Sequence, residues 1–160
     1  MNVHQLEFLV AKSNPAAAQM SAWALLLSAN SRLLERIEAS LAAAELPPLA
    51  WYDVLWELEK APDGRLRMHE IADHTVLSRS NLTRLADRLE NAGLIEREIC
   101  ADDRRGAYCV ITRTGRQMRA RMWPVYQKGI EKLFAAHVSA DEARSMTAAL
   151  ERVLQAAKED

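Results

Sequence analysis

Leu77-Ser-Arg-Ser-Asn-Leu-Thr-Arg-Leu-Ala-Asp-Arg-Leu-Glu-Asn-Ala-Gly-Leu-Ile-Glu-Arg-Glu-Ile-Cys-Ala-Asp-Asp-Arg-Arg-Gly106 is the stretch whose pattern decides the fold. It predicts an amphipathic helix from Ser78, stopping at Gly93. With Leu82 at the origin of a helical wheel, Leu85, Ala86 and Leu89 complete the i, i+3, i+4, i+7 set of a buried stripe. Ser80, Thr83, Arg84, Asp87 and Arg88 fall on the opposite face. Hydroxyls and guanidiniums on an outward helix face are the groups that bond base edges and phosphates in a DNA major groove. Leu94 to Cys100 then alternates as a strand. Asp102 to Gly106 forms a hairpin turn, and Ala107 to Ile111 is the returning strand.

Charge points to the same place. The formal net charge of -1 conceals segregation along the chain. Residues 1–64 carry four bases against eight acids, a net -4, and residues 122–160 carry a net -1. Residues 65–121 carry twelve bases, all arginine, against eight acids, a net +4. Arginine suits bidentate contact with phosphate and guanine better than lysine does. The coincidence of this charge with the helix and turn favours a nucleic-acid partner.

Outward from this centre, residues 16–45 read as a long helix with Trp23, Leu26, Leu27, Leu33, Leu34, Ile37 and Leu41 at helical spacing, ended by Pro47-Pro48. Leu49 to Ala61 is a second helix and Pro62-Asp63-Gly64 a turn. Arg65 to Arg67 is short and extended, and Met68 to His74 is a short helix. Ser78 is the natural N-cap of the next one. A third long helix starts near Thr114 and runs toward Ala136, with Pro124 expected to kink or divide it. Ser139 and Glu142 form a capping box for a last helix, whose apolar side is Met146, Ala149, Leu150, Val153 and Leu154. The expected fold is mainly α with a small β-hairpin wing. A winged helix-turn-helix over residues 49–113 is flanked by a helical dimerisation region from 1–48 and 114–160, the whole one intertwined domain. The outer helices are too apolar to stand free, and the same helices of a second copy are their cheapest cover.

These residues resemble the MarR family of bacterial transcription regulators over about residues 20 to 155. The resemblance is carried by Trp51-Tyr52-Asp53-Val54-Leu55, Pro62-Asp63-Gly64-Arg65-Leu66-Arg67-Met68, Leu77-Ser78-Arg79-Ser80, Leu82-Thr83-Arg84-Leu85, Asp87-Arg88-Leu89-Glu90, Gly93-Leu94, and Asp103-Arg104-Arg105-Gly106 leading to Thr112 and Gly115. It implies a triangular homodimer with the terminal helices as its base. It also implies a major-groove helix presenting Ser78, Arg79, Ser80, Asn81, Thr83, Arg84 and Arg88. The wing has Asp103 as its steadying acid and Arg104 and Arg105 at its tip, with Arg105 reaching the minor groove. Such proteins commonly repress genes and release a pseudo-palindromic double-stranded operator when a small, often aromatic or phenolic ligand binds between base and DNA-binding lobe. Trp23 and Trp56 flank that crevice and are the expected pocket walls, with core or interface packing as their plainer reading.

Other chemistry finds little support. His69 and Asp73 share a helix face, but two ligands on one short helix do not make a metal site. With five glycines in all, and no Ser-His-Asp arrangement or paired carboxylates, neither a nucleotide cradle nor catalysis is expected. No cofactor is implied. No run has the length of a membrane span and no signal pattern opens the chain, so a cytoplasmic protein is expected. Two alternatives stay open. If the loop is residues 103–106, Cys100 and Cys109 oppose each other across the hairpin, and a disulfide there would make a redox-responsive regulator. A winged helix serving protein interaction without DNA activity is the other.

Overall fold

The computed structural model describes residues 15–75, 79–99 and 107–157. The expected element order is present. Helix α1 (Pro15–Ala43) is followed by α2 (Leu49–Lys60), β1 (Arg65–Arg67), α3 (Met68–His74), α4 (Arg79–Asn91), β2 (Ile95–Ile99), β3 (Ala107–Ile111), α5 (Arg113–Ile130) and α6 (Ala140–Ala156). The three strands form one antiparallel sheet in the order β1-β3-β2. The wing is therefore more than a hairpin, because Arg65 to Arg67 pairs with the far side of β3. No helix among the described residues is long and apolar enough to cross a membrane.

Two buried clusters hold these elements. The larger joins Val54, Leu55 and Leu58 of α2, Ile71 of α3, the α4 stripe, Leu94, Ile95 of β2, and Cys109 and Ile111 of β3. The smaller joins Ile37 and Leu41 of α1, Leu49 and Tyr52 of α2, and Met122 of α5. Helix α2 contributes to both, and Met118 of α5 packs against both. Helix α2 and Met118 thus connect the two clusters.

Local chemistry explains the element ends. Helix α4 closes on Gly93 at φ +70°, with Gly93 N donating to Glu90 O at 2.8 Å and Leu94 N to Leu89 O at 2.9 Å. This is a Schellman ending that tucks Leu94 onto Leu89. Thr112 then joins two elements: its hydroxyl donates to Gly93 O at 2.8 Å and accepts from Gly115 N at 3.0 Å, capping α5. Gly115 is needed there, because a Cβ would run into the Leu94 carbonyl oxygen. Ser139 and Glu142 form the expected capping box on α6.

Three expectations need correction. Helix α1, expected over residues 16–45, stops two residues earlier. It ends at Ala43, where Glu45 takes φ 54° and Leu46 N donates to Leu41 O at 3.0 Å, a second Schellman ending built without glycine. Pro124 does not divide α5, which runs unbroken to Ile130. Pro124 and Ala120, whose carbonyl loses its helical partner, both lie on the exposed side, open to solvent, while Met122 on the inner side is buried. The irregular turn comes later, a π-helical turn over Glu131–Ala135. The third correction is in the wing register, where Cys109 faces Arg97 rather than Cys100.

Candidate nucleic-acid interface

Helix α4 is two-sided, as its sequence requires. Leu82, Leu85, Ala86 and Leu89 are at most 2% exposed. Asn81, Thr83, Arg84, Asp87 and Arg88 face outward. Asn81, Arg84, Asp87 and Arg88 line an open groove of about 610 Å³ together with Leu85 and Ala50 at the start of α2. Among the described residues neither Arg84 nor Arg88 pairs with a carboxylate, so both guanidiniums are available to a ligand outside the chain. Arg79 and Ser80 lie in the first turn of α4. Ser78, Asp103, Arg104 and Arg105 lie outside the described residues, as does Cys100.

The acids of the same helix are engaged from the wing. Arg97 of β2 donates from Nη2 to Asp87 Oδ1 at 2.6 Å, and its Nη1 lies 3.1 Å from Glu90 Oε2. The bond to Asp87 holds the guanidinium proton still more firmly than usual. On the outer sheet face, the guanidiniums of Arg65 and Arg67 stack on Tyr108 at 4.9 and 5.2 Å from its ring centre.

A second cluster lies where α2 meets α5. Tyr52 stacks with Trp56 at 6.4 Å and with Trp123 at 6.0 Å, and meets Tyr126 edge-on at 5.1 Å. Arg119 sits 5.2 Å over the Trp56 ring and its Nε is paired with Glu59. Of the two expected pocket walls, Trp56 belongs to this cluster. Trp23 is 54% exposed and makes no ring contact among the described residues. Sequence reasoning missed Tyr52, Arg119 and Tyr126. Their i, i+4 and i+3 spacings from Trp56 and Trp123 mark two stripes, but nothing in the sequence sets one stripe against the other. Beside Tyr126, the Asp53 carboxyl is pushed up to about 6, by burial first and then by Glu57 and Glu38.

The redox alternative loses its geometry. Cys109 is fully buried, burial pushes its thiol up, and its Sγ lies 3.3 Å from Met68 Sδ. A thiol that holds its proton and faces Arg97 across the ladder is an apolar filler rather than a reactive group.

A helix-turn-helix pair, a three-stranded sheet beside it and long helices at both ends define a winged-helix protein of the transcription-regulator class. Residues 46–106 match the model of the MarR family. The structure is similar to that of AbsC, a MarR family transcriptional regulator from Streptomyces coelicolor, with 26% identity, 89% of this chain and 96% of that chain covered, and a TM-score of 0.81. It is equally similar to Sco3205, a MarR family regulator of the same organism solved in complex with DNA, with 25% identity, 91% and 90% coverage, and a TM-score of 0.81. BpsR of Bordetella bronchiseptica, whose DNA binding is regulated by 6-hydroxynicotinic acid, shares the fold at 19% identity over 81% of this chain and 89% of that one, with a TM-score of 0.71. No curated protein sequence matches the chain. Over residues 46–106 the chain is thus similar to the MarR family, and across most of its length to solved MarR family transcriptional regulators.

Proposed function

We propose that this DNA-binding regulator is a homodimeric repressor that leaves its operator when a small aromatic ligand binds. The observation that carries the DNA reading is the two-sided α4. Its inner face is fully consumed by the core, while its outer face offers Asn81, Thr83, Arg84 and Arg88 around an open groove. Arg79 and Ser80 in the first turn of that helix, with Ser78 just before them in sequence and Asp103, Arg104 and Arg105 in the sequence between β2 and β3, complete the proposed contact set. Phosphate contacts supply affinity, and base-edge contacts from α4 supply sequence choice. The DNA-bound Sco3205 supports this reading.

The dimer reading rests on the ends of the chain. Helix α6 buries no residue, leaving Val153 and Leu154 exposed at 56% and 62%, and α1 exposes Met20, Trp23, Leu25 and Leu27. Apolar stripes of this extent on two helices mark an interface. The effector reading rests on the Tyr52–Trp56–Trp123–Tyr126 cluster with Arg119 beside it, a surface that suits an aromatic acid. A ligand there acts by preferring a spacing of recognition helices that does not fit the operator. Regulation of BpsR by 6-hydroxynicotinic acid is a precedent for that class of ligand.

Fluorescence anisotropy with a selected duplex tests the reading. Arg84→Ala should cost about 1–3 kcal/mol and relax choice at particular base pairs if Arg84 reads a base. A loss uniform across sequences reassigns Arg84 to phosphate, and unchanged binding removes α4 from the interface.

A further inference from the structure

We infer that Arg97 is a positioning residue for DNA binding, which keeps Asp87 from capturing Arg84 and ties the wing to the recognition helix. The inference rests on the DNA-binding reading of α4 and deepens it.

Asp87 stands three residues after Arg84 on the exposed face of α4, the spacing at which oppositely charged side chains meet on a helix. Left alone, that carboxylate would pair with Arg84 and set a negative charge where phosphates approach. In the structure it does neither, because Asp87 is bonded to Arg97, whose second amino group reaches Glu90 one turn nearer the end of the helix. One guanidinium thus holds two acids of α4 from a strand of the wing. Arg84 stays free of carboxylates among the described residues. The fork of an arginine suits this double task, whereas a lysine ammonium is a point charge that meets one acid well.

Arg97 is itself fixed in place. It lies opposite Cys109 in the β2–β3 ladder, and Cys109 is fully buried among Val54, Ile71 and the α4 stripe. The wing strand and the recognition helix therefore share both a core contact below and an ion pair above. The ion pair is half open to water, with 30% of the Arg97 side chain and 50% of the Asp87 side chain exposed. An exposed pair of this kind contributes little to stability. Its effect is on which partner each charged group of α4 is free to take.

The test is a double-mutant cycle read in DNA affinity, its salt dependence and melting temperature. Arg97→Met keeps the apolar stem and removes the charge. It should weaken binding about ten-fold, and make the salt dependence shallower by about one unit of slope as Arg84 turns to Asp87. Its melting temperature should fall by no more than about 4 °C. Adding Asp87→Asn to that variant should restore the slope and most of the affinity, which a merely structural loss would not allow. Arg97→Lys should fall between the parent and Arg97→Met. Full affinity in Arg97→Met, or a loss that Asp87→Asn does not recover, overturns the inference while leaving the regulator reading in place. A parent protein that binds no duplex overturns both.

Discussion

Asp53 shows how a single residue can carry a cost that its helix would not suggest. It lies between Glu57 on its own helix and Glu38 of α1, with Tyr126 of α5 alongside, and Glu38 is itself bonded to Leu49 N at 3.0 Å. Among the described residues no cation relieves the group, and its ordinary value of 3.8 rises to about 6. The native state therefore holds this proton more tightly than the unfolded chain does. Stability falls as pH rises from about 4 to about 6 and stays lowered above that. Asp53→Asn should remove this dependence and stabilise the protein at pH 7. The gain is up to about 3 kcal/mol, reduced to about half because the side chain keeps some access to water. Denaturant titration at pH 4.5 and 7 checks it, and equal effects at both would show that Asp53 is not the source. Such a shift is not legible in sequence, because Glu38 lies on another helix. By contrast, the exposure of Thr83, Arg84 and Arg88 follows directly from the period of their neighbours.

At the scale of elements, helix endings separate what a sequence announces from what it hides. Gly93 after an apolar stripe announces an ending, and the structure shows it at φ +70° with open space where a Cβ would stand. Glu45 occupies the same kind of position at φ 54° with nothing in its chemistry to mark it, which is why Pro47-Pro48 looked like the stop. The pair yields a prediction of opposite signs. Gly93→Ala should cost about 1 kcal/mol from backbone strain alone, and Glu45→Gly should gain up to about 1 kcal/mol. Thermal unfolding of both variants measures it, and destabilisation by Glu45→Gly would show that the Glu45 side chain supports the turn. The strands follow the same logic. Alternation identified β2 and β3, but the pairing of β1 with β3, and of Arg97 with Cys109, depends on register set by the whole wing. The Arg97–Asp87–Glu90 contact was hidden for that reason, and the α2–α5 aromatic cluster because nothing in the sequence sets one helix stripe against the other.

For the whole molecule, the apolar faces of α1 and α6 are what the single chain leaves unfinished. A 17-residue helix that buries nothing gains little from folding alone, and the proposed dimer would supply its cover. Deleting residues 139–160 should give an aggregating or weakly folded protein by light scattering and circular dichroism. A well-behaved monomer that still binds DNA tightly would remove the terminal helices from the interface. The sequence made these stripes legible as faces needing cover, since amphipathic period and capping signals are local. It could not show how two lobes would be spaced, which is the property that an operator reads.

That spacing gives the most direct measurement of the central claim, that this chain reads DNA as a two-fold dimer of winged helices. Duplexes are selected from random sequence by the purified protein and footprinted with hydroxyl radical, and the mass of the complex is measured in parallel. The account predicts two symmetric protected segments about one helical turn, roughly 10 base pairs, apart, with two chains bound per site. A single asymmetric segment holding one chain, or no sequence enriched at all, would contradict it.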